Sequence, residues 1–193
     1  MDTSPTPITL PDDLRPADGR FGSGPSKVRA EALAALTAAA PTYLGTSHRQ
    51  SPVRSVVARL RAGMAELFSL PGGYEVVFGN GGAAYFWDVA VFSLIERRSQ
   101  HLTFGNFSES FALTAGAAPH LDAPDVINSP AGTHPEAKPN PDVDVYALTH
   151  NETSTGVAME VTRPAPAEEG LALVDATSAA GGMRVDPSQF DVY

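Results

Sequence analysis

Apolar residues recur at helical spacing through the first third of this chain and in short unbroken runs through the rest. Val53, Val56, Val57, Leu60, Met64, Leu67 and Phe68 fall on one face of a helix predicted over about Val53–Phe68, with Arg54, Arg59 and Arg61 largely outside it. An alanine-rich stretch predicts an earlier helix over Val28–Ala40, with Ser26 as N-cap and Pro41 as its stop. Pro71-Gly72-Gly73 then breaks the chain. Tyr74–Phe78 reads as a short buried strand, followed by a glycine turn and a nearly all-apolar helix over Ala84–Ile95. A strand at His101–Phe104 and a helix at Phe107–Ala117 come next, then a loop over Pro119–Pro141 with room for one short strand. Val143–Thr149 and Leu171–Asp175 carry buried-strand patterns, and Phe190–Tyr193 begins another. Strands alternating with helices predict an α/β layer with a mainly parallel sheet.

Composition narrows the class. The 193 residues are 42% apolar, enough for a core, and 17 Gly with 17 Pro indicate many loops. A net charge of −9 and the lack of a basic run argue against a nucleic-acid partner. Cysteine is absent, which excludes disulfides and thiolate metal sites, and the five histidines show no metal spacing. Met1 to about Gly19 is rich in Pro and Asp and reads as an extended arm without signal-peptide features. The longest apolar run is far short of the roughly 20 residues that cross a bilayer. The expectation is a soluble cytoplasmic protein with no membrane partner.

Several motifs carry candidate chemistry. Gly79-Asn-Gly-Gly-Ala-Ala84 lies between a strand and a helix, where helix-start N–H groups favour an anion. Gly79, Gly81 and Ala84 also satisfy the G-x-G-x-x-A dinucleotide pattern. The acidic ribose partner expected about 20 positions on is missing, and no Lys-Ser/Thr follows to make a P-loop. A single-phosphate site or a plain structural turn remains. Asp175 ends an apolar strand, at the edge where open α/β sheets bind ligands; a carboxylate there can keep a heteroaromatic nitrogen protonated, or merely cap a turn. Thr153, in His150-Asn-Glu-Thr-Ser-Thr-Gly156, could hydrogen-bond a ligand hydroxyl or satisfy its own loop. The His48-Arg49 pair suits an anion, or is an ordinary surface turn. Phe107 follows a strand end and can stack on a flat ligand, whereas Trp87, inside an apolar helix, is assigned to the core.

Taken with Arg20-Phe-Gly-Ser-Gly-Pro-Ser-Lys27, Gly45-Thr-Ser-His-Arg-Gln50, Gly79–Asp88 and Val174-Asp-Ala-Thr-Ser178, these motifs resemble the N-terminal portion of the phosphoserine aminotransferases, in their actinobacterial form. That family consists of pyridoxal-phosphate enzymes of fold type I. The resemblance implies a mainly parallel, seven-stranded-type sheet flanked by helices, incomplete here. Residues 1–19 would be an arm and 20–193 part of the large cofactor domain, with the remainder and a small domain absent. It further implies that backbone N–H groups of Ala83 and Ala84 hold the cofactor phosphate, Phe107 stacks on the pyridine ring, Thr153 bonds its phenolic oxygen, and Asp175 pairs with its nitrogen. Arg49, with His48 beside it, would grip the substrate's carboxylate or phosphate. The implied reaction moves the amino group of L-glutamate to 3-phosphohydroxypyruvate, in a homodimer serving serine synthesis; some bacterial members also act in pyridoxine synthesis. One departure stands out. The family's Schiff-base lysine has no counterpart, since only Lys27 and Lys138 are present and neither sits in a matching motif. Residues 1–193 alone are therefore expected to be inactive. An alanine–glyoxylate aminotransferase or cysteine desulfurase type of enzyme, and a non-catalytic nucleotide-binding module, are the alternatives.

Overall fold

A computed structural model describes residues 9–16, 27–166 and 169–193. The Arg20–Ser26 part of the first motif, the proposed Ser26 cap and most of the arm lie outside the described residues. The chain divides into two compact units, Met1–Arg54 and Ser55–Tyr193.

In the first unit, helix α1 spans Ala30–Tyr43 and buries no residue. Pro41 does not stop it, contrary to expectation. The proline falls in the last turn, where its missing N–H forgoes a single bond, and the Leu44 N–H still reaches the Ala40 carbonyl at 3.1 Å. Helix α2, Ser51–Leu67, matches its predicted span closely; its first residues fall in this unit and the rest in the second.

The second unit is built on a four-stranded parallel sheet. Its strands are β1 (Ser99–Thr103), β2 (Asp125–Asn128), β3 (Val145–Thr149) and β6 (Leu171–Asp175), in the spatial order β2-β1-β3-β6. β1 and β3 are buried at every position, as strands covered on both faces must be. Alternation along the strands sorts the core into two clusters. Val145, Ala147 and Leu173 pack with Trp87, Ala90 and Val91 of helix α3 (Ala83–Ser93) and with Phe111 and Ala115 of helix α4 (Asn106–Gly116). Leu148, Ala172 and Val174 form the opposite cluster with Met159, Val161 and Phe190. A short antiparallel pair, β4 (Asn151–Glu152) and β5 (Val157–Ala158), folds where the sequence suggested only a loop.

The strand expected at Tyr74–Phe78 does not form. The segment alternates between half-buried Tyr74 and Val76 and exposed Glu75 and Val77, but no ladder pairs it. This stretch and Phe190–Tyr193 both line a cleft of about 980 Å³, and no ladder pairs them. Phe190–Tyr193 is itself only an incipient strand, tied to β6 by the isolated bridge Leu173↔Val192.

One core residue makes stability depend on pH. His101 is 1% exposed on β1, bonded to the Ser99 hydroxyl and edge-on to Phe111. Burial lowers its pKa from 6.5 to about 4. The unfolded chain would bind that proton near 6.5, so stability is complete above this pH and falls by about 3 kcal/mol as the pH drops toward 4. Urea unfolding at neutral and acidic pH checks this: His101→Gln should lose markedly less stability over the interval than the native sequence. An equal loss in both would show that another group is responsible.

Candidate active site

Because β1, β3 and β6 run parallel and in register, Thr103, Thr149 and Asp175 end at one edge of the sheet, where ligands of open α/β folds bind. Asp175 is 4% exposed there. Its Oδ2 accepts the Trp87 indole N–H at 2.7 Å, and its Oδ1 accepts the Thr177 hydroxyl at 2.7 Å and the Thr177 backbone N–H at 3.0 Å. Three donors hold the carboxylate in one orientation, and a carboxylate's four lone-pair sites leave room for another N–H.

Trp87 packs in the core as expected, stacked on Phe111 with ring centroids 5.9 Å apart. Its hydrogen bond to Asp175 was not foreseen. The signal was available: a buried indole needs an acceptor, and Asp175 was already placed at the end of a neighbouring strand.

Trp87 belongs to the first turns of α3, so the start of that helix lies about one turn from the residue that touches Asp175. Gly82 is its N-cap, with φ 101° and no side chain to satisfy the first N–H groups. A Cβ on Gly82 would be strained at this φ, though nothing lies within 4 Å of it. The Ala83 and Ala84 N–H groups therefore sit at a positive helix end with open space around Gly81 and Gly82, which suits an anion.

Phe107 and Thr153 occupy the adjoining stretch of the same edge. Phe107 is the second residue of α4 and 40% exposed; Thr153 is exposed in the turn after β4. Their segments are joined, since the Phe107 N–H donates to Glu152 Oε1 at 3.3 Å. The His150 N–H in turn donates to the Asp175 carbonyl at 3.0 Å, linking the β3 end to β6. Ala83, Ala84, Phe107, Thr153 and Asp175 are thus carried by elements that meet at one sheet edge. Nearby, His150 Nδ1 lies 3.1 Å from the Tyr193 hydroxyl, and burial lowers the pKa of the histidine and raises that of the tyrosine.

His48 and Arg49 belong to the first unit. They are exposed in a turn before α2, where the Arg49 N–H donates to Ser47 Oγ at 3.3 Å and the Gln50 N–H to the Ser47 carbonyl at 2.9 Å. The Lys138 backbone is bonded to the Gln100 side chain, near the amino end of β1 and away from the Asp175 edge. Among the described residues no cluster of His, Asp and Glu could hold a metal, and no helix is long and apolar enough to cross a membrane.

The parallel α/β sheet, with helices packed on it and polar groups gathered at its carboxyl edge, is shared with solved pyridoxal-phosphate-dependent aminotransferases of fold type I. A solved pyridoxamine–pyruvate aminotransferase from Mesorhizobium loti matches with a TM-score of 0.70 over 86% of this chain and 43% of its own, at 18% identity, a level that speaks for the fold alone. Within that class the chain is similar to phosphoserine aminotransferases. One from a Nocardioides species is 57% identical over 188 residues, covering 96% of this chain and 50% of the relative. The solved phosphoserine aminotransferase of Cytophaga hutchinsonii gives a TM-score of 0.71 at 26% identity, over 83% of this chain and 45% of that one. The chain spans about half the length of the curated relatives it matches. No family model matches it. The likeness read from the motifs is borne out.

Proposed function

We propose that residues 20–193 belong to the large domain of a phosphoserine aminotransferase that binds pyridoxal 5′-phosphate. Its reaction would convert L-glutamate and 3-phosphohydroxypyruvate into 2-oxoglutarate and O-phospho-L-serine. The observation that carries this reading is Asp175, a buried carboxylate held by Trp87 and Thr177 at the sheet edge that α3 also reaches. The cofactor, when bound, supplies an electron sink for moving the amino group. Asp175 would hold the proton on its ring nitrogen, because a negative charge fixed at that edge favours the protonated form. The Ala83 and Ala84 N–H groups would take the phosphate, with the α3 dipole adding to the attraction. Phe107 would cover one face of the ring and Thr153 would donate or accept at its phenolic oxygen.

Arg49, with His48, would bind the anionic end of the substrate by charge-assisted hydrogen bonds. In the full-length protein, Arg49→Ala should raise the KM for 3-phosphohydroxypyruvate by about 10- to 100-fold while kcat changes less. Steady-state kinetics at varied oxo-acid concentration reads this directly, and an unchanged KM would remove Arg49 from the role.

Cofactor identity is tested by titrating the full-length apoprotein with pyridoxal 5′-phosphate and, separately, with NAD. Binding of the first and not the second is expected. Tight NAD binding without pyridoxal phosphate would favour the nucleotide-module reading that the G-x-G-x-x-A pattern first suggested.

A further inference from the structure

The least exposed carboxylate among the described residues is not Asp175 but Glu152, at 0% exposure, and the chemistry above makes no use of it. Its surroundings are built to receive it. The N-cap of helix α4 is Gly105, which has no side chain to cap the helix, and the four N–H groups that open any helix lack intrahelical partners. Here each finds an acceptor. Gly105 N–H donates to Ser108 Oγ at 3.1 Å, and Asn106 N–H to Ser154 Oγ at 2.9 Å. Phe107 N–H and Ser108 N–H donate to the two oxygens of Glu152 at 3.3 and 2.8 Å. The Ser154 hydroxyl completes the link by donating to Glu152 Oε1 at 2.7 Å. The cap therefore comes from a segment more than forty residues away in sequence.

Steric detail points the same way. A Cβ on Gly105 would strike the Glu152 side chain, with Cδ at 2.6 Å, and Ser154 Oγ, also at 2.6 Å. Glycine at this position is what lets the carboxylate reach the helix. Burial pushes the Glu152 pKa up, but the hydrogen bonds from Ser108 and Ser154 outweigh it and hold the group below the usual carboxylate range. An ionised carboxylate at a helix N-terminus is also stabilised by the dipole.

What distinguishes this cap from a purely structural one is its position. It grips the backbone of Phe107 directly and is bonded in sequence to Thr153, the two residues whose exposed side chains present an aromatic face and a hydroxyl at the site edge. We propose that Glu152 is a positioning residue that fixes Phe107 and Thr153 relative to each other, so that together they form one preorganised face for a flat, phenol-bearing ligand. The proposal rests on the pyridoxal-phosphate reading of this edge.

The test uses the full-length protein and pyridoxal 5′-phosphate as probe, reading the dissociation constant of the apoprotein and the near-UV circular dichroism of the bound cofactor. Glu152→Gln keeps the shape but turns an N–H₂ toward N–H donors; it should raise the dissociation constant about tenfold and change the dichroic band. Ser154→Ala, which keeps Glu152 but drops one link, should shift both in the same direction by less, and it serves as the readout if Glu152→Gln does not fold. Val143→Ala, which thins a separate buried cluster, is the control: it should melt lower yet bind cofactor as the native sequence does. Failure of the native protein to bind pyridoxal phosphate would overturn the underlying reading. Native binding with unchanged affinity and dichroism in the two variants would overturn the positioning role alone.

Discussion

Replacing Asp175 with alanine in the full-length protein should lower kcat for transamination by about 10²- to 10⁴-fold. The estimate follows from the cost of removing one partner of a buried charge pair, about 3–5 kcal/mol, with each 1.36 kcal/mol worth a factor of ten in rate. The fold should survive. Asp175 is bonded to Trp87 and Thr177, and an orphaned indole N–H costs only about 1–3 kcal/mol. Asp175→Asn removes the negative charge while its amide oxygen still accepts from Thr177, at the cost of turning an N–H₂ toward the Trp87 indole N–H. If the charge is what matters, Asn should be nearly as impaired as Ala. Substantial turnover in Asp175→Ala would remove the residue from the pyridinium role.

The largest loss of stability is expected from Phe111→Ala, at about 3–5 kcal/mol. Phe111 is 1% exposed and is the hub of an aromatic group: it stacks on Trp87, meets Phe86 at 6.0 Å and takes the edge of His101 at 4.8 Å. Its removal leaves a cavity between α3, α4 and the sheet that the strands cannot close without losing register. The effect should reach the site, because the ring that orients Trp87 is the one deleted and Trp87 is what holds Asp175 Oδ2. Urea unfolding measures the first consequence and cofactor affinity the second. A cost below about 1 kcal/mol would mean that the cluster relaxes into the gap and that Phe111 is not its support.

Much of the architecture was readable because periodicity reports burial. The strands at β3 and β6 announce themselves as short apolar runs, α2 by apolar residues at helical spacing and α3 as a longer, nearly all-apolar run, whereas β1 (Ser-Gln-His-Leu-Thr) is mostly polar and only its end is marked. Tyr74–Phe78 carries the same apolar signal, but a strand exists only with a neighbour, and periodicity says nothing about neighbours. The β4–β5 pair escaped notice for the opposite reason: two residues a side are too few to show alternation. Pro41 carries a helix-stop signal, yet a proline costs little in a final turn.

The candidate site divides along a similar line. Asp175 could be found because a lone acid closes an apolar run, and the glycine turn because its composition permits little else. The supports of the site depend on contacts far apart in sequence. Trp87 meets Asp175 across 88 positions, and Glu152 meets Ser108 across 44. No local pattern marks Glu152 as the partner of a helix whose own N-cap is a glycine.

The account is tested most directly by loading the full-length protein with pyridoxal 5′-phosphate, supplying L-glutamate and 3-phosphohydroxypyruvate, and measuring 2-oxoglutarate. Release of 2-oxoglutarate and O-phospho-L-serine in equal amounts is expected, with glyoxylate failing to replace the phosphorylated oxo acid. Turnover with glyoxylate and none with 3-phosphohydroxypyruvate would contradict it.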